Sequence, residues 1–229
     1  MSDRDAYHVK DYSEVCCTGA VGVVSSFLHR TLEVFGIFSF KNKLVQRPDC
    51  LQILEVGAGA GQHARYVRHR YDYLTQSDIR PQNILNESGN ERILSETRIV
   101  DAQNLPYSDS SFDRVIATCL LAHLDHPEKA LSEWKRVVRP GGVISIFIPC
   151  EPGIVLRVLQ SVTTRRKQKK LGYDAWLLHY REHRNHHPGM MTYVKHIYGS
   201  DIRITNYPFP FLGWNLNLWS IVQVMNLEK

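Results

Sequence analysis

Ile53-Leu54-Glu55-Val56-Gly57-Ala58-Gly59-Ala60-Gly61-Gln62 combines a short apolar run with three alternate glycines. The apolar run predicts a buried strand, and the amphipathic stretch Ala64–Arg70 after it predicts a helix. Glycines at such a turn adopt backbone angles that other residues avoid, and they let a ligand approach without meeting a Cβ atom. The helix would add free N–H groups and the positive end of its dipole. These features predict a ligand-binding turn at the carboxyl end of a strand.

The rest of the chain alternates between short apolar runs and helical patterns, which indicates a parallel, doubly wound α/β sheet. Apolar residues recur at helical spacing from Ala20 to Phe35, and we expect this helix to pack on the sheet. A second amphipathic helix begins at Pro127. The predicted strands are Ile53–Val56, Tyr71–Ser77, Arg98–Val100, Ser111–Thr118, Val143–Pro149, Ile202–Tyr207 and Leu216–Met225.

Asp78 follows the second predicted strand and lies 21 residues after Gly57. Nucleotide-binding α/β folds place an acid at this position, where it accepts both ribose hydroxyls. A carboxylate suits the role because its two oxygens can accept two O–H donors at once. An Asp after a strand is also common as a turn residue or helix cap, but its spacing from the glycines favours ribose binding.

Four segments occur in an order that resembles the class I S-adenosylmethionine (SAM) methyltransferases of the small-molecule, type 11-like branch. They are E-V-G-A-G-A-G at 55–61, D-A-Q-N-L-P-Y at 101–107, S-F-D-R-V at 111–115 and H-P-E-K-A-L-S-E-W-K-R-V-V-R-P-G-G at 126–142. The resemblance covers about residues 52–149 and departs from the family signature at Trp134 and Arg139. Gln62 stands where a dinucleotide fingerprint needs a third glycine, which argues against an NAD-type oxidoreductase.

The resemblance implies a Rossmann-like, seven-stranded, mostly parallel sheet with one antiparallel strand, and SAM as the cofactor. The glycine turn would hold the methionine end of the cofactor, with Glu55 orienting the turn and the ammonium group. Asp78 would hold the ribose, and Asp101 with the backbone of Ala102 would hold the adenine. The full set of expected cofactor-binding residues is Glu55, Gly57, Ala58, Gly59, Gly61, Asp78, Ile79, Asp101, Ala102 and Cys119.

His123 and His126 follow the fourth strand, where ligands lie in open α/β sheets. Methyl transfer from a sulfonium requires mainly a close and collinear acceptor. An oxygen or nitrogen acceptor can also need a general base, so both histidines are candidates for that role. For His123 the alternative is that it only packs or caps. Asp113 begins the fourth strand, and we expect it to be structural rather than catalytic.

Residues 151–198 are too long for a plain crossover between strands five and six, and we interpret them as a helical lid inserted over the transfer site. Residues 151–200 hold nine Lys/Arg against three Asp/Glu, including the basic run 165–170. Arg181, Arg184 and His183 are candidates for substrate binding, since two arginines three apart on a helix could clamp an anion. A solvated helix face is the alternative, and for the paired His186 and His187 a solvated loop is the expectation.

The acceptor that this basic segment would serve remains open among three classes. It could be an acidic small molecule, a lipid-like molecule at an anionic membrane surface, or RNA. RNA is the weakest of the three because no recognised RNA-binding module accompanies the segment.

The composition is typical of a soluble globular protein with a formal net charge of +5. The N-terminus lacks the apolar core of a signal peptide, and no apolar run is long enough to span a membrane. The five scattered cysteines suggest reduced thiols, and the eleven histidines form no recognisable zinc signature, so we expect no metal site. We therefore expect a cytoplasmic protein, with peripheral contact to the inner membrane surface as an open alternative.

The sequence predicts one SAM-methyltransferase domain with an N-terminal helical lead-in (1–49), a cofactor-binding core (50–150), the basic lid (151–198) and the last two strands (199–229). The expected activity is methyl transfer to an oxygen or nitrogen atom of a small-molecule or lipid-like acceptor in a biosynthetic pathway. A catalytically inactive SAM-binding partner subunit and an RNA-directed methyltransferase are the alternatives. The cofactor half of this fold is shared by O-, N- and C-methyltransferases, so the sequence does not choose among these atoms.

Overall fold

The computed structural model describes residues 20–37, 51–80, 94–163, 175–200 and 202–226. Seven strands form one sheet in the order β3-β2-β1-β4-β5-β7-β6. Their bounds are β1 Gln52–Val56, β2 Tyr73–Asp78, β3 Leu94–Ile99, β4 Phe112–Thr118, β5 Val138–Pro149, β6 Ile202–Tyr207 and β7 Trp219–Met225. The first five strands pair in parallel, whereas β7 is antiparallel to both β5 and β6. The predicted seven-stranded, mostly parallel sheet is confirmed.

Helices cover both faces of the sheet, as in a doubly wound fold. On one face lies α1 (Ala20–Ile37), whose Leu32 is fully buried against the sheet residues Ile53, Ile116 and Phe147. The predicted N-terminal helix and its packing on the sheet are therefore confirmed. On the other face, α2 (Pro127–Val137) buries Leu131 and Trp134 in a second core, and α5 (His187–Tyr198) joins the same core.

The predicted helix Ala64–Arg70 is wrong, because only the short 3₁₀ turn Ala64–Tyr66 forms there. The backbone becomes extended at Val67, with φ −61° and ψ 121°. The N–H group of Arg68 donates to the Glu33 carboxylate on α1, at 3.3 Å, instead of closing a helical turn. Side-chain bonds to α1 thus replace local helical bonds. No helix N-terminus forms after the glycine turn in this described stretch.

A buried ion pair links α1 to the sheet. The Arg114 guanidinium on β4 lies 2.9 Å from the Glu33 carboxylate, and neither side chain has solvent exposure. Arg114 also donates to Ser145 Oγ on β5, at 3.0 and 3.1 Å. His63, next to the glycine turn, lies 2.9 Å from Glu33 Oε1. The glycine turn, α1 and the centre of the sheet therefore share one polar network.

The chain between β5 and β6 contains three described helices, α3 (Ile154–Val162), α4 (Ala175–Glu182) and α5. The expected helix around Ile154–Val162 is confirmed, whereas the basic run 165–170 lies outside the described residues. The 3₁₀ turn Trp214–Leu216 precedes β7, which begins at Trp219 rather than at Leu216. None of the described helices combines the length and apolar character that crossing a membrane requires.

Candidate functional site

The carboxyl ends of the parallel strands bring most of the predicted site residues to one edge of the sheet. The glycine turn follows β1, Asp78 ends β2, Asp101 follows β3 and Cys119 follows β4. In open α/β sheets this edge is where ligands bind. Residues far apart in sequence therefore share one location, as the sequence analysis predicts.

The three glycines of the turn all have positive φ angles, of 63° at Gly57, 54° at Gly59 and 70° at Gly61. A Cβ atom on Gly57 would lie 2.7 Å from Leu120 Cδ1, so a larger residue would clash there. A Cβ atom on Gly59 would meet no atom within 4 Å. The turn therefore packs against Leu120 at Gly57, whereas the space beside Gly59 is empty. This space leaves room for a ligand to contact the backbone.

Glu55 supports the turn from beneath. Its side chain is buried, and Gln76 Nε2 donates to its Oε2 at 2.8 Å. The same Gln76 amide would lie 2.8 Å from a Cβ atom on Gly61, so this contact requires glycine. Burial raises the pKa of the Glu55 carboxyl group. Among the described residues, Glu55 Oε1 has no hydrogen-bond partner.

Asp78 is fixed by the backbone on both sides. Its Oδ2 accepts from the N–H of Gly59 at 3.0 Å, and its Oδ1 accepts from the N–H of Arg80 at 2.8 Å. A carboxylate oxygen can accept more than one hydrogen bond, so these backbone bonds are compatible with the expected ribose contact. The exposed Ile79 follows at the same edge. The acid is thus bonded directly to the turn with which its sequence spacing associates it.

Asp101 and Ala102 follow β3, and Asp101 Oδ1 accepts from the backbone and side-chain N–H groups of Gln103, at 2.9 and 3.1 Å. The Trp134 indole donates to the Ala102 carbonyl oxygen at 3.2 Å. Arg139 pairs with Asp113 at 2.9 Å. The two departures from the family signature, Trp134 and Arg139, therefore support the same framework.

His123 lies at the edge near the end of β4, in the 3₁₀ turn Leu121–His123. Its ring contacts the His183 ring edge-on, with centroids 4.7 Å apart. Burial, and then the charge of His183, lower the pKa of His123 to about 3. The ring is therefore neutral at pH 7. Cys119, just before it, has a positive φ of 56°, which is uncommon for a residue other than glycine.

The second histidine candidate lies away from this group. His126 is the residue before α2, its side chain is 55% exposed, and its Nδ1 lies 3.5 Å from Glu128 Oε1. Its backbone N–H donates to Gln103 Oε1 at 2.8 Å. The structure places His126 at the start of α2, where its side chain makes no capping hydrogen bond.

The expected arginine clamp does not form as a helical pair. The helix α4 ends at Glu182, so Arg181 is its last but one residue and Arg184 lies beyond it. Arg184 forms an ion pair with Asp125, and its backbone N–H donates to the Ala122 carbonyl at 2.8 Å. The structure separates the two arginines because the chain turns at this point to contact the loop after β4.

The residues between α4 and α5 hold the insertion on the sheet edge. The Asn185 side-chain amide donates to the carbonyl oxygens of Leu121 at 2.9 Å and Leu124 at 2.6 Å. The backbone N–H of His187 donates to the Glu151 carbonyl at 2.8 Å, and its imidazole lies 2.8 Å from Ser220 Oγ. His186 and His187 are therefore not a solvated loop: His187 is buried and His186 is half-buried.

Glu151 and His179 are site residues that the sequence analysis does not predict. Glu151 lies two residues after the end of β5 and is buried, with His183 Nδ1 at 2.5 Å and His179 Nε2 at 3.6 Å from its Oε2. The H-x-x-x-H spacing of the two histidines places both on one helix face. A carboxylate at the end of a parallel strand, combined with that spacing, is the signal that could have found the group.

The central part of the chain is similar in sequence to known proteins. The family described as "Methyltransferase domain" matches residues 54–146. A phosphatidylethanolamine N-methyltransferase of Cereibacter sphaeroides is 34% identical over 100 residues, which cover 42% of this chain and 49% of that protein. A ubiquinone/menaquinone biosynthesis C-methyltransferase of Bordetella parapertussis is 31% identical over 134 residues, which cover 55% of this chain and 49% of that protein. The chain spans about half the length of these curated relatives.

The fold comparison extends beyond the core. The plantazolicin methyltransferase BpumL in complex with S-adenosylhomocysteine (SAH) is similar with a TM-score of 0.62 and 15% identity, over 93% of both chains. A SAM-dependent methyltransferase structure from Thermotoga maritima is similar with a TM-score of 0.54 and 17% identity, over 93% of this chain and 99% of that one. Residues 54–146 therefore match a methyltransferase domain, and the fold of the chain is similar to that of these methyltransferase structures.

Proposed function

We propose that the protein transfers a methyl group from SAM to an oxygen or nitrogen atom of a lipid-like acceptor that it meets at a membrane surface. The observation that carries the lipid part of this proposal is an exposed apolar surface beside the carboxyl edge of the sheet. The cofactor part depends on the family and on the geometry of the glycine turn.

The residues at the edge suit the cofactor in three respects. Gly59 faces open space at the turn, the Asp78 carboxylate is bonded to the N–H group of Gly59, and Asp101 follows the neighbouring strand. In our assignment the turn holds the methionine end, Asp78 the ribose and Asp101 the adenine. SAM supplies an activated methyl group, so the protein chiefly positions the acceptor and excludes water.

The apolar surface is formed by α3 and the loop before β7. Ile154 and Val158 on α3 are 57% and 61% exposed, and Phe211 in the loop is 81% exposed. The N–H group of Ile154 donates to Asn215 Oδ1 at 3.1 Å, so the helix and the loop are adjacent. Further exposed apolar residues of this surface are Leu159, Val162, Phe209 and Leu216. An amphipathic surface of this kind can insert into the headgroup region of a bilayer.

The surface lies where an acceptor would enter. Because β5 ends at Pro149, α3 begins directly after the carboxyl edge. The basic run 165–170 follows α3 in the sequence, and basic residues beside an apolar helix favour anionic lipid headgroups. Two of the similar proteins are named for phosphatidylethanolamine and for ubiquinone/menaquinone biosynthesis. Their names support a lipid-like acceptor, and they include both N- and C-methylation.

Two measurements on the purified chain test the two parts of the proposal separately. Calorimetric titration should show micromolar binding of SAH and no binding of NAD, whereas binding of NAD instead, or of neither, would overturn the cofactor part. Flotation with phosphatidylcholine vesicles containing phosphatidylglycerol tests the lipid part, and the wild-type protein should float with them.

The flotation assay needs a control variant that removes an exposed apolar side chain outside the apolar surface. The triple variant Ile154→Ser, Val158→Ser, Phe211→Ser should bind vesicles at least about tenfold more weakly, because burial of one such side chain contributes about 1.5–3 kcal/mol. Tyr193→Ser, on α5 and 39% exposed, is the control and should float like the wild type. Replacing the basic residues of 165–170 with Gln should remove the salt sensitivity of binding. A wild-type protein that stays unbound would favour a water-borne acceptor instead.

A further inference from the structure

We infer that Glu151, His179 and His183 form a binding site for a divalent transition-metal cation at the acceptor end of the candidate active site. This inference changes the expectation, drawn from the sequence, that no metal site is present. It deepens the proposed function, since the cation would bind the acceptor, but its test requires neither an acceptor nor a turnover assay.

The three side chains converge from two elements. His179 lies on α4, and the N–H of His183 bonds to the His179 carbonyl at 2.9 Å, so both rings project from one helical face. Glu151 meets them from the end of β5. One donor atom from each residue lies within 4.8 Å of the others. Donors held at about 2.0–2.2 Å from one cation are at most about 4.4 Å apart, so small side-chain rotations would complete the site.

The charge of Glu151 favours a cation at this position. The carboxylate is buried, and among the described residues no Lys or Arg forms an ion pair with it. In the described part of the chain its ionic partners are the two imidazoles, which carry charge only when protonated and whose ring centroids are 4.8 Å apart. Buried carboxylates are paired with cations or coordinate metals. A divalent ion would supply the permanent positive charge that the surrounding protein lacks.

The carboxylate is already oriented as a ligand would be. Gln160 Nε2 on α3 donates to Glu151 Oε1 at 2.8 Å, so Oε2 faces both histidines. Outer hydrogen bonds of this kind fix the direction of metal-binding carboxylates. Two imidazoles and one carboxylate suit Zn²⁺, Fe²⁺, Co²⁺ or Mn²⁺.

Three protein donors leave coordination positions open for another ligand. His123 lies beside His183 on the side of β4, where the predicted cofactor contact Cys119 also lies. The ligand class that fits is an acceptor with an oxygen or nitrogen lone pair, such as an alcohol, phenol or amine. Coordination would hold that atom in place and lower its pKa.

The test uses tag-free protein that has been dialysed against a chelator and then into metal-free buffer. Calorimetry with Zn²⁺, and visible absorption with Co²⁺, should show one site in the wild type. His179→Ala should abolish this site, and Gln160→Ala should weaken it by about 10–100-fold. His196→Ala removes an exposed histidine on α5 and is the matched control, which should bind like the wild type.

Thermal unfolding confirms that each variant is folded, and the half-buried His179 and Gln160 make folded variants the expected result. Zn²⁺ affinity that is unchanged in His179→Ala, or absent in the wild type, would overturn the metal site and leave a hydrogen-bonded cluster that holds α4 on β5. SAH titration of the same samples separates the two proposals. SAH binding without a metal site removes this inference alone, whereas a metal site without SAH binding removes the cofactor part of the proposed function.

Discussion

At the scale of single residues, aspartates near the strand ends have different surroundings and therefore different tasks. Asp113 is the second residue of β4, where its Oδ2 accepts from the N–H of Gln52 at 2.9 Å and pairs with Arg139. Both bonds join parts of the framework, which agrees with the structural role expected for Asp113. Asp78 instead bonds to the glycine turn at the ligand edge. Both residues are aspartates, and their hydrogen-bond partners show that Asp113 belongs to the framework and that Asp78 lies at the candidate site.

The role assigned to Asp78 predicts the effect of a minimal substitution. Asp78→Asn keeps one oxygen but removes the charge and one acceptor, so it should weaken SAH binding by about 1–3 kcal/mol, or roughly 5–150-fold. Calorimetric titration measures the change. Asp109→Asn is the control, because Asp109 is exposed and pairs with Arg136 away from the edge. Equal SAH affinity in wild type and Asp78→Asn would remove Asp78 from the cofactor site.

At the scale of elements, the position of α1 depends on an ion pair without solvent contact. Burial raises the pKa of the Glu33 carboxyl group, but the charge of Arg114 and bonds from His63 and Arg114 prevail and lower it to about 2. Removing one partner of such a pair destabilises the fold more than replacing both partners with apolar residues, since it leaves the other charge buried and uncompensated. The helix is therefore attached to the sheet by polar as well as apolar contacts.

Replacement of one partner should show this dependence. Glu33→Gln should lower the free energy of unfolding by about 3–5 kcal/mol, because Arg114 would remain buried without its counter-charge. Urea unfolding monitored by circular dichroism measures the difference. Glu96→Gln removes the acid of the partly exposed Glu96–Arg98 pair on β3 and should cost at most about 1 kcal/mol. If the two substitutions lowered the free energy of unfolding by the same amount, the larger contribution assigned to the buried pair would be wrong.

At the scale of the whole molecule, buried neutral histidines make stability depend on pH. Burial is the largest cause that lowers the pKa of His29, to about 3, and of His69, to about 4, from the usual 6.5. Charged groups that face these rings are Glu33, His63, Arg65, Asp113 and Arg114. Below pH 6.5 the unfolded chain binds protons that the folded chain does not, so stability falls as the pH falls.

The expected acid sensitivity is about 1.4 kcal/mol per pH unit for each histidine between its folded and unfolded pKa values. The lowered pKa of Glu33 acts in the same direction, from about pH 4.5 down to about 2. Urea midpoints at pH 7, 6 and 5 should decrease steadily, and His196→Gln, at an exposed site, should leave the slope unchanged. A midpoint that stays constant from pH 7 to 5 would contradict the assignment.

The architecture could be predicted largely from sequence because it depends on short-range patterns. Apolar runs and turn residues predicted the strands, and the family resemblance implied one antiparallel strand, which the structure shows to be β7. The helix at Ala64–Arg70 was predicted wrongly because its amphipathic pattern is local, whereas Glu33 lies more than 30 residues away and bonds to this segment. A long-range side-chain contact of this kind is not visible in the periodicity of one segment.

The site could be predicted only in its cofactor half, and there the individual roles of Asp78 and Asp101 remain predictions. Their spacing from the glycines is fixed by the strand–turn repeat. The acceptor half depends on the contact of His179 and His183 with Glu151, and the H-x-x-x-H pattern at 179–183 does not by itself identify the carboxylate that the histidines meet. Glu151 was therefore missed, and His183 was grouped with the arginines rather than with its actual partner.

The segment between α4 and α5 affects how molecules can enter and leave the candidate site. The backbone of Arg184 and Asn185 and the Asn185 side-chain amide bond to the residues after β4, and the N–H group of His187, at the start of α5, bonds to Glu151 after β5. An outward movement of this segment would break several of these bonds together, so we expect it to stay in place during turnover. If the proposed function is right, we expect substrate and product to exchange on the side of α3, where the exposed apolar surface lies.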